Sequence, residues 1–233
     1  RRPRGLEERV AASPRRQLEV LPDAEAVARR AAAVIAEEAR SAVARRGRFF
    51  LALSGGRTPW RMLEALAEEE VPWQRVAIYQ VDERVAPRGH SDRNLTQLER
   101  VLPPPARERL IPMPVEASDL EAACALYGAS LPQRFDLVHL GLGEDGHTAS
   151  LVPGDPVLEA RDRPVAVTGE YKGRRRMTLT YPVLDRAELV LWVVTGEDKR
   201  NPLALLMAGD PSIPAGRVAA PRQLVVADRA AAA

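Results

Sequence analysis

The sequence predicts an α/β fold in which a mainly parallel, open sheet carries helices on both faces. Short apolar runs alternate with segments whose apolar residues recur at helical spacing, and polar, glycine-bearing stretches sit just past the ends of those runs. The balance of 45% hydrophobic and 28% charged residues over 233 positions is that of a globular protein with a full core. One domain, 1–233, is expected, because no repeat, low-complexity linker or compositional break divides the chain. The arginine-rich residues 1–15 are expected to form a mobile lead-in.

Each element has its own signal. Val27, Val34, Ile35, Ala42 and Val43 share one helical face, Asp23 can cap the start and Gly47 can close the end, which predicts a helix over 23–46. A strand follows at 48–54, then Ser54-Gly55-Gly56 and a helix capped by Thr58, with Pro59 at its first position. Residues 75–81 read as a second strand ending in Asp82-Glu83-Arg84. Ser91 or Asp92 is expected to cap a helix that stops at the prolines 103–105. Ser118 with Glu121 reads as a capping box, with Leu120, Ala123, Cys124, Tyr127 and Leu131 forming an apolar stripe behind it. A third strand at 135–140 feeds the loop Gly141 to His147. Further strands fit 164–168, 177–181, 189–195 and 223–227, with a helix over 199–207.

Composition excludes several classes. Cys124 is the single cysteine and cannot form an internal disulfide, which suits a reducing compartment. The amino-terminal stretch lacks the apolar centre of a secretory signal, so a cytoplasmic location is expected. Apolar runs such as 189–194 are too short to span a bilayer, so no membrane is expected. Net charge is only +2 and aromatics are 4%, with no basic run interleaved with stacking rings, so no nucleic acid partner is expected. Lys172 and Lys199 are the only lysines, a bias of composition rather than of chemistry.

The chemistry lies in four polar stretches past the carboxyl ends of the apolar strands: 54–56, 82–84, 141–147 and 195–199. In an open parallel sheet those ends share one edge, where ligands bind. The 54–59 turn offers backbone N–H groups at a helix start, suited to an anion such as phosphate, and glycine permits close approach. A tight strand-to-helix turn is the plain alternative. Lys199 can add a point charge to the same anion, against the alternative of a solvated lysine. Gly141 to Gly146 formally matches G-x-G-x-x-G, but Pro153, Gly154 and Pro156 preclude the long helix that a dinucleotide site needs, and Glu144 and Asp145 would repel its phosphates.

His147 ends that loop. With an ordinary pKa of about 6.5, a neutral imidazole is a competent base near pH 7. A structural loop role is the alternative. His139 reads as a satisfied core residue and His90 as a solvated one. No G-x-S-x-G elbow, H-E-x-x-H or cysteine pair occurs, so neither a serine nucleophile nor a zinc site is expected, and direct attack by water is left.

At these loops the chain resembles the 6-phosphogluconolactonase family. The resemblance runs from about 51 to 205 and rests on Leu53 to Pro59, Val81 to Pro87, Gly141 to Leu151, Arg176 to Thr180, and Thr195-Gly196 with Lys199. The histidine run is the most specific; the glycine turn and Asp82-Glu83 are shared with the wider superfamily of sugar-phosphate isomerases and deaminases. The resemblance implies a Rossmann-like fold and hydrolysis of 6-phospho-D-glucono-1,5-lactone, with His147 as general base and Asp145 as a candidate to orient it. It implies that Asp82 and Arg84 line the substrate pocket and that Gly55, Gly56, Arg176 and Lys199 hold the phosphate. Thr58 and Gly143 complete the expected substrate contacts, and backbone N–H groups of 141–146 are candidate oxyanion donors. No cofactor and no metal are implied, the partner is a phosphosugar lactone, and a monomer is expected. Two positions depart from the family pattern: Arg93 stands where a serine usually precedes the asparagine matched to Asn94, and Val152 replaces a phenylalanine. The competing readings are a glucosamine-6-phosphate deaminase/isomerase, whose histidine loop continues differently from Thr148-Ala149-Ser150-Leu151, and a non-catalytic sugar-phosphate sensor.

Overall fold

The computed structural model describes residues 15–233; the lead-in expected to be mobile lies, apart from Arg15, outside the described residues. In chain order the elements are β1 (Arg15–Leu21), α1 (Ala24–Arg46), β2 (Phe49–Leu53), α2 (Arg57–Leu66), β3 (Val76–Gln80), β4 (Asp82–Arg84), α3 (Asn94–Val101), α4 (Pro104–Arg107), β5 (Leu110–Ile111), α5 (Leu120–Ser130), β6 (Leu137–Leu140), β7 (Val165–Val167), β8 (Arg176–Leu179), α6 (Tyr181–Leu184), β9 (Leu189–Val194), α7 (Arg200–Ala208), β10 (Arg222–Asp228) and α8 (Arg229–Ala232).

Seven strands form one sheet in the order β1-β10-β9-β6-β2-β3-β5, and every neighbouring pair is parallel. Alternation along the strands divides the core. In β9, Leu189, Leu191 and Val193 pack with α1 and α2, while Val190, Trp192 and Val194 pack on the opposite face with residues of α5, α6 and α7. Period-two side-chain direction in a sheet covered on both sides makes both sets apolar. Among the described residues no helix is long and apolar enough to cross a membrane.

A second sheet, β4-β8-β7, is antiparallel and was not anticipated. Its joint with the large sheet is Val81, whose N–H donates to Leu53 O at 2.9 Å while its carbonyl accepts from Leu179 N–H at 2.8 Å. The chain leaving β3 thus passes from one sheet to the other. Asp82 and Arg84 on β4 and Arg176 on β8 are thereby carried to the carboxyl edge of the parallel strands.

Several helix starts differ from expectation. α2 begins at Arg57, not after Thr58, because Gly56 turns the chain at φ +123°, a conformation that suits glycine alone. α3 begins at Asn94 and takes no cap from Ser91 or Asp92. Its first N–H groups, of Asn94 and Leu95, donate to the two carboxylate oxygens of buried Glu83, both at 2.8 Å. α5 is capped by Asp119, which accepts from Ala122 N–H at 3.0 Å, rather than by a Ser118 box. Asp23 and Gly47 do cap α1 as expected.

Candidate active site

The four polar stretches meet in one open cleft of about 450 Å³ at the carboxyl edge of the large sheet. Gly55, Gly56, Asp82, Arg84, Gly143, His147, Arg176 and Lys199 all line it. The Thr58 side chain lies outside the described residues.

The loop after β6 is folded around His147. Gly143 N–H donates to His147 O at 2.8 Å and Gly146 N–H to Gly143 O at 3.0 Å, closing a tight turn. Those two donors are therefore committed and are not free for an oxyanion, which corrects part of the expectation above. Asp145 Oδ1 lies 2.5 Å from His147 Nδ1 and also accepts the His147 backbone N–H at 3.1 Å. A carboxylate on Nδ1 selects the tautomer protonated there and leaves Nε2 to take a proton. A methyl group at Gly143 would sit 2.0 Å from His147 Nδ1, so the imidazole occupies the space that glycine provides. The His147 side chain is 22% exposed, reachable from the cleft yet braced.

Burial would raise the Asp145 carboxyl, but the hydrogen bond and charge of His147, with a smaller contribution from Tyr171, outweigh it and hold the group below its ordinary value. It is ionised near neutral pH. The Tyr171 hydroxyl donates to Asp145 Oδ2 at 3.0 Å, and its ring meets the imidazole edge-on with centroids 5.5 Å apart.

Opposite the loop, the β4-β8 pair places charge. Asp82 is buried and accepts from Ser150 Oγ at 2.6 Å and from Asn94 Nδ2 at 3.3 Å. Arg176 is also buried, with Nη1 3.4 Å from Ser150 Oγ; burial lowers its pKa, and the charge of Asp82 opposes that shift. Arg84 Nη1 donates to Asp92 O at 2.6 Å. Gly55 is packed against Asn94, where a Cβ would lie 1.9 Å from Oδ1, a buried oxygen with no partner. Lys199 sits in a 3₁₀ turn (Glu197–Lys199) ahead of α7, with Nζ 2.7 Å from Asp198 and 4.0 Å from Glu144.

Two sequence departures acquire places. Arg93 does not reach into the cleft. It is 1% exposed and turned inward, with Nη1 donating to Ala86 O at 2.7 Å and Nε 3.0 Å from Glu83 Oε2, at ion-pair distance though not aligned as a hydrogen bond. Val152 is buried. His139 is only half satisfied: Nδ1 accepts Ser54 N–H at 3.4 Å, while buried Nε2 has no partner. His90 is not simply solvated, since its Nδ1 accepts from Asp92 N–H at 3.1 Å and its Nε2 lies 3.2 Å from Arg174. Sequence reasoning missed Tyr171 and Arg61, which lies on α2 and lines the cleft, and Ser150 entered only inside the histidine run; nothing in their local sequence marks them.

An imidazole on the wall of a cleft with several cationic side chains, backed by a carboxylate and set at the carboxyl edge of a parallel sheet, is the arrangement of an α/β enzyme suited to acid–base chemistry on an anionic small molecule. The sequence profile of the family described as glucosamine-6-phosphate isomerases/6-phosphogluconolactonase matches residues 22–227, and the chain belongs to that family. It is 36% identical over 207 residues to a 6-phosphogluconolactonase from a Nostoc species, covering 83% of this chain and 86% of that one. A 6-phosphogluconolactonase from Pseudomonas aeruginosa is 36% identical over 202 residues, covering 82% and 85%. The crystal structure of 6-phosphogluconolactonase from Thermotoga maritima superposes with a TM-score of 0.81 at 26% identity, covering 92% of this chain and all of that one.

Proposed function

We propose that the protein hydrolyses 6-phospho-D-glucono-1,5-lactone to 6-phosphogluconate, with His147 as general base. The observation that carries this reading is His147 on the wall of a cleft also lined by Arg84, Arg176 and Lys199, with Asp145 Oδ1 behind it 2.5 Å from Nδ1. The relatives named above support the substrate.

The phosphate docks at the Gly55-Gly56 turn, where the amino terminus of α2 presents backbone donors, and Arg176 and Lys199 balance its charge. Arg84 and Asp82 border the sugar hydroxyls. Water attacks the lactone carbonyl carbon as His147 Nε2 takes its proton, and Asp145 stabilises the imidazolium that results. Leu142 and Glu144 also line the cleft, and their backbone N–H groups are the candidate donors to the oxyanion in place of the committed N–H groups of Gly143 and Gly146. The tetrahedral adduct then expels the ring oxygen, which receives the proton from Nε2. No metal or cofactor enters these steps. The working unit in this reading is a monomer.

Acid release from freshly made lactone, followed in a pH-stat against the spontaneous rate, tests the assignment. Enzyme-dependent acid release without ammonia from glucosamine 6-phosphate is expected. Ammonia without acid would replace this reading with the deaminase one, and binding of phosphosugar with neither product would replace it with a sensor.

A further inference from the structure

We propose that Tyr171 is a positioning residue for the base, holding Asp145 and His147 in their reactive arrangement while seating Arg176 on the same ring. The inference rests on the reading of His147 as the base.

Three contacts from one side chain support it. The hydroxyl donates to Asp145 Oδ2 at 3.0 Å while Asp145 Oδ1 faces His147 Nδ1, so both carboxylate oxygens are engaged and the group cannot rotate away. The ring edge stands against the imidazole at an interplanar angle of 64°. The Arg176 guanidinium lies over the same ring, 4.9 Å from its centroid. Tyr171 is not among the residues that line the cleft, so it acts through its neighbours. Burial, followed by the hydrogen bond to Asp145, raises the phenol above its ordinary value and keeps it a donor across the working pH range.

The surrounding chain is built to hold this ring in place. Tyr171-Lys172-Gly173-Arg174 is a two-residue hairpin turn with φ +51° at Lys172 and +78° at Gly173, the left-handed pair that matches strand twist. Tyr171 N–H donates to Arg174 O at 2.9 Å, and Arg174 N–H returns the bond at 3.3 Å. On its far side the hairpin is pinned where Arg174 Nε donates to Asp92 Oδ2 at 2.6 Å. The tether reaches the loop before α3, away in sequence from Asp145 and His147.

Steady-state kinetics on two variants and one double-mutant cycle test the assignment. Tyr171→Phe keeps the ring and removes the hydroxyl; kcat should fall about tenfold with KM within about twofold of wild type. Tyr171→Leu also removes the platform under Arg176, so KM should rise several-fold as well. If the hydroxyl works through Asp145, Tyr171→Phe should change kcat by less than about twofold in an Asp145→Ala background. Urea unfolding of each variant separates loss of fold from loss of positioning, and Tyr171→Phe carries the test if Tyr171→Leu does not fold. Unchanged kcat in Tyr171→Phe, or an equal proportional loss in both backgrounds, would overturn the assignment. Failure of the wild type to release acid from the lactone would instead remove the functional reading, and this inference with it.

Discussion

His147 and Asp145 are two positions apart, a separation that points side chains to different faces of a helix and, in a strand, puts them on one face but about 7 Å apart. The loop makes it serviceable by turning back on itself through the Gly143 and Gly146 hydrogen bonds, and by leaving the space beside Nδ1 empty of any Cβ. Gly143→Ala should therefore displace the imidazole while the fold survives. We expect kcat to fall by about a hundredfold, with the urea midpoint nearly unchanged. An alanine variant with wild-type kcat would show that the ring does not need that space. A second residue-scale prediction concerns His139, which burial holds at about 3, well below the ordinary histidine value of about 6.5. The unfolded chain takes up a proton below about 6.5 that the folded chain refuses until about 3, so stability is lost as pH falls through that window. Between pH 7 and 5 this amounts to about 2 kcal/mol. Urea denaturation at the two pH values should show wild type losing about that much more than His139→Asn, whose amide oxygen can still accept from Ser54. Equal losses would mean that His139 is charged in the fold.

At the scale of elements, Glu83 links β4, the loop before α3, and α3 itself. Fully buried, it accepts from Arg84, Asn94 and Leu95 N–H and from Gln80 Nε2, and it faces the buried Arg93 guanidinium. Removing it as Glu83→Ala would leave a buried cation and two helix N–H groups without their acceptor, a loss of about 3–5 kcal/mol that equilibrium unfolding would register. A change below about 1 kcal/mol would contradict this account of α3. Caps of this kind explain where the sequence misleads. Asp23 and Gly47 adjoin the helix they cap and were legible, whereas Glu83 lies eleven positions before the helix start that it satisfies, so Ser91 and Asp92 looked like better caps. The small sheet was illegible for a related reason: β4 and β7 have three residues each, too few for period-two alternation to stand out, and their pairing is decided by where Val81 leaves the large sheet.

For the whole molecule, the parallel sheet was legible because its central strands are apolar on both faces, and that alone placed four separated polar stretches at one edge. The candidate site followed from that placement together with the family resemblance. Tyr171 did not, because it reaches Asp145 from 26 positions away on a hairpin that no local pattern ties to the histidine loop. The edge strand β1 was likewise unread: Leu18 and Val20 are exposed, so the strand lacks the one-sided alternation by which buried strands are found. In the proposed reaction His147 is the group that activates water. The most direct test is pH-stat measurement of acid release from freshly prepared 6-phosphogluconolactone by wild type and His147→Ala, with unfolding curves and inorganic phosphate inhibition taken on both. The predicted result is a loss of about a hundredfold or more in kcat with fold and phosphate affinity intact; a variant that releases acid at close to the wild-type rate would contradict it.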